Sequence, residues 1–132
     1  MRNAEKVLLV DDDPQVRRAL RLTLTSAGYN VVEAWTGEEA LEKVQAESPV
    51  DMVLLDLKMP GIGGVEACRR IRKISDVPIL VISILRTQES KMQAFDAGTD
   101  DYLTKPFSIQ DLLSHMHALR HSGASLETIA AV

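Results

Sequence analysis

The 132-residue chain is 45% hydrophobic and 26% charged, the proportions of one globular domain able to bury roughly two-thirds of its unfolded surface. Its formal net charge of -4 argues against direct nucleic-acid binding, which needs a basic face. A lone cysteine, Cys68, leaves no intramolecular disulfide, and the lack of a signal-peptide pattern or a membrane-length apolar run predicts a cytoplasmic protein without membrane contact.

The first predicted element is a continuous apolar strand over 7–10. It ends in three acids, Asp11, Asp12 and Asp13. Asp13 precedes Pro14, which predicts an N-cap followed by proline at the first helical position. Val16, Ala19, Leu20, Thr23, Leu24 and Ala27 then recur at helical spacing, and Gly28 suits the helix end. A second strand is predicted over 29–34. Thr36 and Glu39 match a capping box, with Ala40, Leu41 and Val44 as the inward stripe of the second helix.

Pro49 breaks the chain before a third strand over 52–55, which delivers Asp56 to its exit. Pro60, Gly61, Gly63 and Gly64 make the following loop, and a third helix is predicted over 65–73. Val65, Cys68 and Ile71 share one face of it, so Cys68 reads as a small buried hydrophobe. Pro78 opens a fourth strand over 79–82, just before Ser83. A fourth helix covers 88–97 and ends at Gly98, and a short fifth strand covers 102–104. Ser108 and Asp111 repeat the capping pattern before a last helix lined by Ile109, Leu112, Leu113, Met116 and Leu119. After Arg120 the periodicity fades, which predicts a domain over 1–121 and a linker-like tail over 122–132.

Continuous apolar strands alternating with helices imply a parallel sheet covered on both faces. With right-handed crossovers this is an α/β doubly wound (βα)5 three-layer sandwich. Such sheets bind ligands beyond the carboxyl ends of their strands. Asp11, Asp12, Asp13, Asp56, Ser83 and Lys105 all fall there. Crowded carboxylates stay ionised only if a cation joins them. An all-oxygen ligand set suits magnesium rather than zinc. Lys105 adds a fixed charge and Ser83 a hydroxyl, so that metal, ammonium and hydroxyl could serve three phosphoryl oxygens. Asp56 then reads as a nucleophile toward phosphorus.

Val10-Asp11-Asp12, the run from Leu55 to Gly61, Ser83 and the run from Asp100 to Phe107 resemble the receiver domain of bacterial two-component response regulators, over about residues 5–121. The resemblance implies the CheY-like, flavodoxin-like fold, a five-stranded sheet of order 2-1-3-4-5. It implies that Asp56 accepts a phosphoryl group from a sensor histidine kinase. Asp12, Asp56 and the backbone carbonyl of Lys58 would hold Mg²⁺, with Asp11 assisting through water. Lys105, Ser83 and the backbone N–H of Ile84 would bind phosphoryl oxygens, and Lys105–Pro106 would be a cis peptide. Ser83 would swing toward the phosphoryl group and Tyr102 would turn inward, biasing a surface of the fourth helix, fifth strand and fifth helix.

Receivers of winged-helix transcriptional regulators are the nearest in pattern. They dimerise through that surface, for which Lys91, Met92, Asp100, Asp101 and Arg120 are candidates here, weakened by His115 and Gln93 at positions where such relatives often carry Arg. The expected output is transcription, with DNA reached only through a further domain. The alternatives are a stand-alone relay receiver and a phosphorylation-independent interaction module. A dedicated enzyme is not expected: an aspartyl-phosphate hydrolase wants a second Asp where Lys58 stands, and a dinucleotide enzyme wants a glycine-rich turn after the first strand.

Other features read more plainly. Ile84 stands where a small residue is usual and would crowd the pocket mouth. Gly63 stands where many relatives carry Asp. Trp35 is expected to pack on neighbouring aliphatics and Phe95 in the core, while Met92 could go either way. His115, His117 and His121 are expected at a solvated helix end, with no carboxylate joining them.

Overall fold

Five apolar runs become five parallel strands: β1 (Lys6–Val10), β2 (Asn30–Ala34), β3 (Met52–Asp56), β4 (Ile79–Ser83) and β5 (Asp101–Thr104). The helices between and after them are α1 (Pro14–Ser26), α2 (Gly37–Gln45), α3 (Gly63–Ile74), α4 (Gln88–Ala97) and α5 (Ile109–Ala131). The computed structural model describes residues 4–46 and 49–131, with side chains described for 4–46 and 49–120. Sheet order is β2-β1-β3-β4-β5, the doubly wound arrangement that the pattern predicts.

Strand alternation splits the core in two. Leu8, Val10, Val53, Leu55 and Ile79 face one side and pack with Ala40, Ala67, Cys68 and Ile71. Val7, Leu9, Met52, Leu54, Leu80 and Ile82 face the other, against Leu24, Leu112 and Met116. Burial raises the Cys68 thiol to about 11, so it stays an inert core group.

Caps set the helix starts. Asp13 accepts from the backbone N–H groups of Gln15 and Val16, with Pro14 at the first turn. Thr36 Oγ accepts from Glu39, Thr87 Oγ from Ser90 and Ser108 Oγ from Asp111. The Thr87 cap is not marked by a capping box in the sequence. Gly98 closes α4 at φ 111, where a side chain would be strained.

Four of the five strands gain one residue over the prediction, and two of these gains matter: Asp56 and Ser83 are the last ladder residues of their strands. A larger difference lies in α5, which runs to Ala131 rather than ending near Arg120. Apolar periodicity stops at Arg120, but the following stretch holds no proline and its alanines and Leu126 favour helix. The proposed division at 121 thus falls within a continuous helix.

One side chain ties the bottom of α3 to the β4–β5 pair. The Arg72 guanidinium donates to the carbonyls of Gly98 (3.0 Å), Ser75 (3.1 Å) and Val77 (2.8 Å) and to the Asp100 carboxylate (2.8 Å). Asp100 in turn accepts from the Ile79 N–H at 2.8 Å. Arg72→Ala should therefore cost about 2–3 kcal/mol in urea unfolding. Arg72→Lys should recover little of it, because an ammonium cannot reproduce the planar fork.

Candidate functional site

Register places the site. Val10 lies beside Leu55, Asp56 beside Ile82, and Ser83 beside Thr104. The residues one step beyond the ladder, with Asp56 and Ser83 at its end, share one sheet edge. Carboxylate oxygens of Asp11, Asp12 and Asp56 come within 4.8 Å of one another. Asp11 and Asp56 are buried and Asp12 is exposed, so the group opens to solvent on the Asp12 side. The Lys105 ammonium stands 3.2 Å from Asp11 Oδ2 and 3.9 Å from Asp56 Oδ2.

Each acid is held differently. Asp11 Oδ1 accepts from the Asp13 N–H at 2.9 Å. Asp56 Oδ1 accepts from the Lys58 N–H at 3.3 Å. Desolvation, with the facing Asp11 carboxylate, raises the Asp56 carboxyl from 3.8 to about 6, although Lys105 and the Lys58 N–H pull the other way. Buried, mutually repelling, all-oxygen and open on one side, the three carboxylates suit a hard divalent cation.

The weakened acidity of Asp56 has a consequence for stability without a cation. The folded state holds the Asp56 proton more tightly than the unfolded chain does. Its contribution is therefore fully present below about pH 4 and is lost as pH rises toward 6. Above that, ionised Asp56 costs on the order of 2 kcal/mol. Urea midpoints in chelator should thus fall across this window in wild type and be flatter in Asp56→Asn.

Ser83 and Tyr102 converge on one residue. The Ser83 hydroxyl, fully buried, accepts from the Leu85 N–H at 3.0 Å. The Tyr102 hydroxyl donates to the Leu85 carbonyl at 2.7 Å, and its ring is buried. The loop after β4 is thus clasped from both sides, and Leu85 has no mark in the sequence beyond being apolar. Ile84, between them, is 56% exposed. The Lys105–Pro106 peptide is cis.

Several expectations need correction. Phe95 is exposed rather than in the core, because the neighbouring Ala94 and Ala97 take the inward face of α4; Met92, for which the sequence left both readings open, is exposed as well. Trp35 is 51% exposed and its ring lies over the Arg17 guanidinium, 5.1 Å from the centroid, rather than on aliphatics. His115 does have a carboxylate partner: Nδ1 is 2.5 Å from Asp101 Oδ2, since α5 packs beside β5. His117 is exposed, and the His121 side chain lies outside the described residues.

The charged candidates for a dimer face all have partners within the chain. Lys91 lies over the Tyr102 ring, Asp100 binds Arg72 and Asp101 binds His115. Arg120 reaches Glu5 at 2.6 Å, because α5 runs back toward the start of β1. Sequence reasoning missed two residues at the site. Gly64 passes so close to β3 that a Cβ there would sit 2.3 Å from the Asp56 carbonyl oxygen. Arg17 donates to the Asp11 carbonyl at 2.7 Å. Among the described residues no helix is long and apolar enough to cross a membrane.

A family model described as the response regulator receiver domain matches residues 7–117. The transcriptional regulatory protein ResD of Bacillus subtilis is 42% identical over 117 residues, covering 89% of this chain and 48% of that protein. The transcriptional regulatory protein KdpE of Mycobacterium tuberculosis is 43% identical over 122 residues, covering 92% and 54%. The chain thus spans about half the length of these curated relatives. Among solved structures, chemotaxis protein CheY4 of Vibrio cholerae superposes with a TM-score of 0.83 at 34% identity, covering 88% of this chain and 98% of that one.

Proposed function

Because this chain belongs to the response regulator receiver domain family, we propose that Asp56 is its phosphoacceptor and a sensor histidine kinase its donor. The observation that carries the reading is the group of three carboxylates within 4.8 Å, flanked by the Lys105 ammonium, at the carboxyl edge of the sheet. Asp11, Asp12, Asp56 and the backbone carbonyl of Lys58 would hold Mg²⁺. When bound, Mg²⁺ supplies the charge neutralisation that lets these acids and a phosphoryl group share one pocket.

An Asp56 carboxylate oxygen attacks phosphorus as the P–N bond of the donor phosphohistidine breaks, and the leaving imidazole takes up a proton. Lys105 neutralises charge on the transferred group, joined by the backbone N–H of Ile84. The Ser83 hydroxyl leaves the Leu85 N–H for a phosphoryl oxygen. That exchange loosens the loop that Tyr102 also holds, so phosphorylation biases the face of α4, β5 and α5. The whole protein then controls an output, which we take to be transcription through a further DNA-binding region. The same face, including Met92, Lys91 and Asp101, is the candidate surface for a homodimer.

The test is exposure to a phosphorylated histidine kinase with Mg²⁺, followed by intact-mass analysis. One phosphoryl adduct, absent in Asp56→Asn, is expected. No adduct from kinases or acetyl phosphate, on a folded chain, would point instead to a phosphorylation-independent interaction module.

Ile84 bears on the lifetime of the product. Its branched, exposed side chain lies next to Ser83 and would hinder a water approaching phospho-Asp56. Autodephosphorylation is then slow, and Ile84→Ala should hasten decay by about 3–10-fold, a barrier change of roughly 1 kcal/mol. Slower decay in the alanine variant would refute the shielding role.

A further inference from the structure

We infer that Arg17 is a positioning residue for the divalent-cation site, bracing the peptide that leads from Asp11 into Asp12. The inference rests on the reading of Asp11, Asp12 and Asp56 as that site. Asp11 is held through its N–H, its carboxylate and its carbonyl. Its N–H donates to the Ala34 carbonyl at 3.1 Å, continuing the pairing of β1 with β2. Its carboxylate is engaged by the Asp13 N–H and Lys105. Its carbonyl, free of the ladder, accepts from Arg17 Nη1 at 2.7 Å.

Asp12 is the exposed member of the group, so its direction is set largely by the backbone on which it stands. The Arg17 bond to the preceding carbonyl orients the Asp11–Asp12 peptide plane, and with it the Asp12 side chain. Arg17 is itself built in. Its side chain is only 14% exposed. One face lies under Trp35, and Nε is 3.4 Å from Glu33 Oε1 without forming a hydrogen bond. An arginine seated for charge alone would not need this packing. A cation placed beside a cation site repels the ion it serves, so its electrostatic effect and its geometric effect on metal affinity have opposite signs.

That opposition makes the test decisive. Mg²⁺ is titrated into the full chain, followed by calorimetry and by emission of Trp35, the single tryptophan. Thermal melts report folding of each variant. Arg17→Ala and Arg17→Lys should each bind Mg²⁺ roughly tenfold more weakly, the usual loss when an outer partner of a ligating residue is removed. Lysine keeps the charge but cannot donate to the Asp11 carbonyl while stacked flat beneath Trp35. A charge-only role predicts tighter binding in Arg17→Ala and no change in Arg17→Lys, and either result overturns the inference. Should Arg17→Ala fail to fold, the Arg17→Lys affinity decides alone. Wild type that binds no Mg²⁺ would sink the reading of the site itself, and the positioning role with it.

Discussion

Asp56→Asn leaves a folded chain that takes up no phosphoryl group from kinase or acetyl phosphate. The amide is nearly the same size and shape, so packing around the buried residue is kept. It carries no negative charge and is a poor nucleophile toward phosphorus, so transfer should fall on the order of a thousandfold or more, below detection by intact mass. The same change should raise metal-free stability near neutral pH, because burial and the facing Asp11 hold the native carboxyl up at about 6. Loss of transfer together with a gain in stability is a signature that a misfolded variant cannot give. An adduct that persists in Asp56→Asn would move the acceptor to another acid, with Asp12 the most accessible of the three.

Gly64→Ala is the substitution with the largest expected structural effect near the site. A Cβ at Gly64 would lie 2.3 Å from the Asp56 carbonyl oxygen, 2.4 Å from Leu57 Cα and 3.0 Å from the Leu57 carbonyl carbon. These are backbone atoms at the end of β3 and cannot turn aside as a side-chain tip would. The Gly64 N–H also donates to the Leu57 carbonyl at 3.1 Å, so the two segments cannot separate freely. Relief must move α3 or the Asp56–Leu57 backbone. The cost should be about 3 kcal/mol in urea unfolding, with phosphotransfer slowed about tenfold or more as the nucleophile shifts. The neighbouring Gly63 offers the control. It has φ +79 but open space around its missing Cβ, so Gly63→Ala should cost only about 1 kcal/mol and leave transfer nearly unchanged. Equal losses at the two glycines would show that conformational strain rather than close contact dominates.

Legibility in the sequence followed the range of the interactions. Asp13 with Pro14, Thr36 with Glu39, and Gly98 acted within one helical turn, and each could be read from adjacent residues. The five apolar runs were long enough to declare strands, and their continuity declared a sheet covered on both sides. Pairings across the chain were less legible. Phe95 looked like core until Ala94 and Ala97 were seen to occupy the inward face of α4. His115 looked solvated because Asp101 lies on another element. Trp35 found Arg17, and Arg17 found the Asp11 carbonyl, through contacts that no local spacing announces.

By itself the sequence determined the class of fold, the order in which acids, hydroxyl and ammonium leave their strands, and hence the kind of chemistry the edge can hold. Those follow from local propensity, apolar periodicity and the rule that parallel sheets open at their carboxyl ends. Only the tertiary structure decided how close the carboxylates stand, how far burial raises Asp56, which residue joins Ser83 to Tyr102, and why position 64 admits no side chain. Each of these is a distance between segments far apart in the chain. Such distances depend on strand register and helix packing together, and no single stretch of residues encodes them.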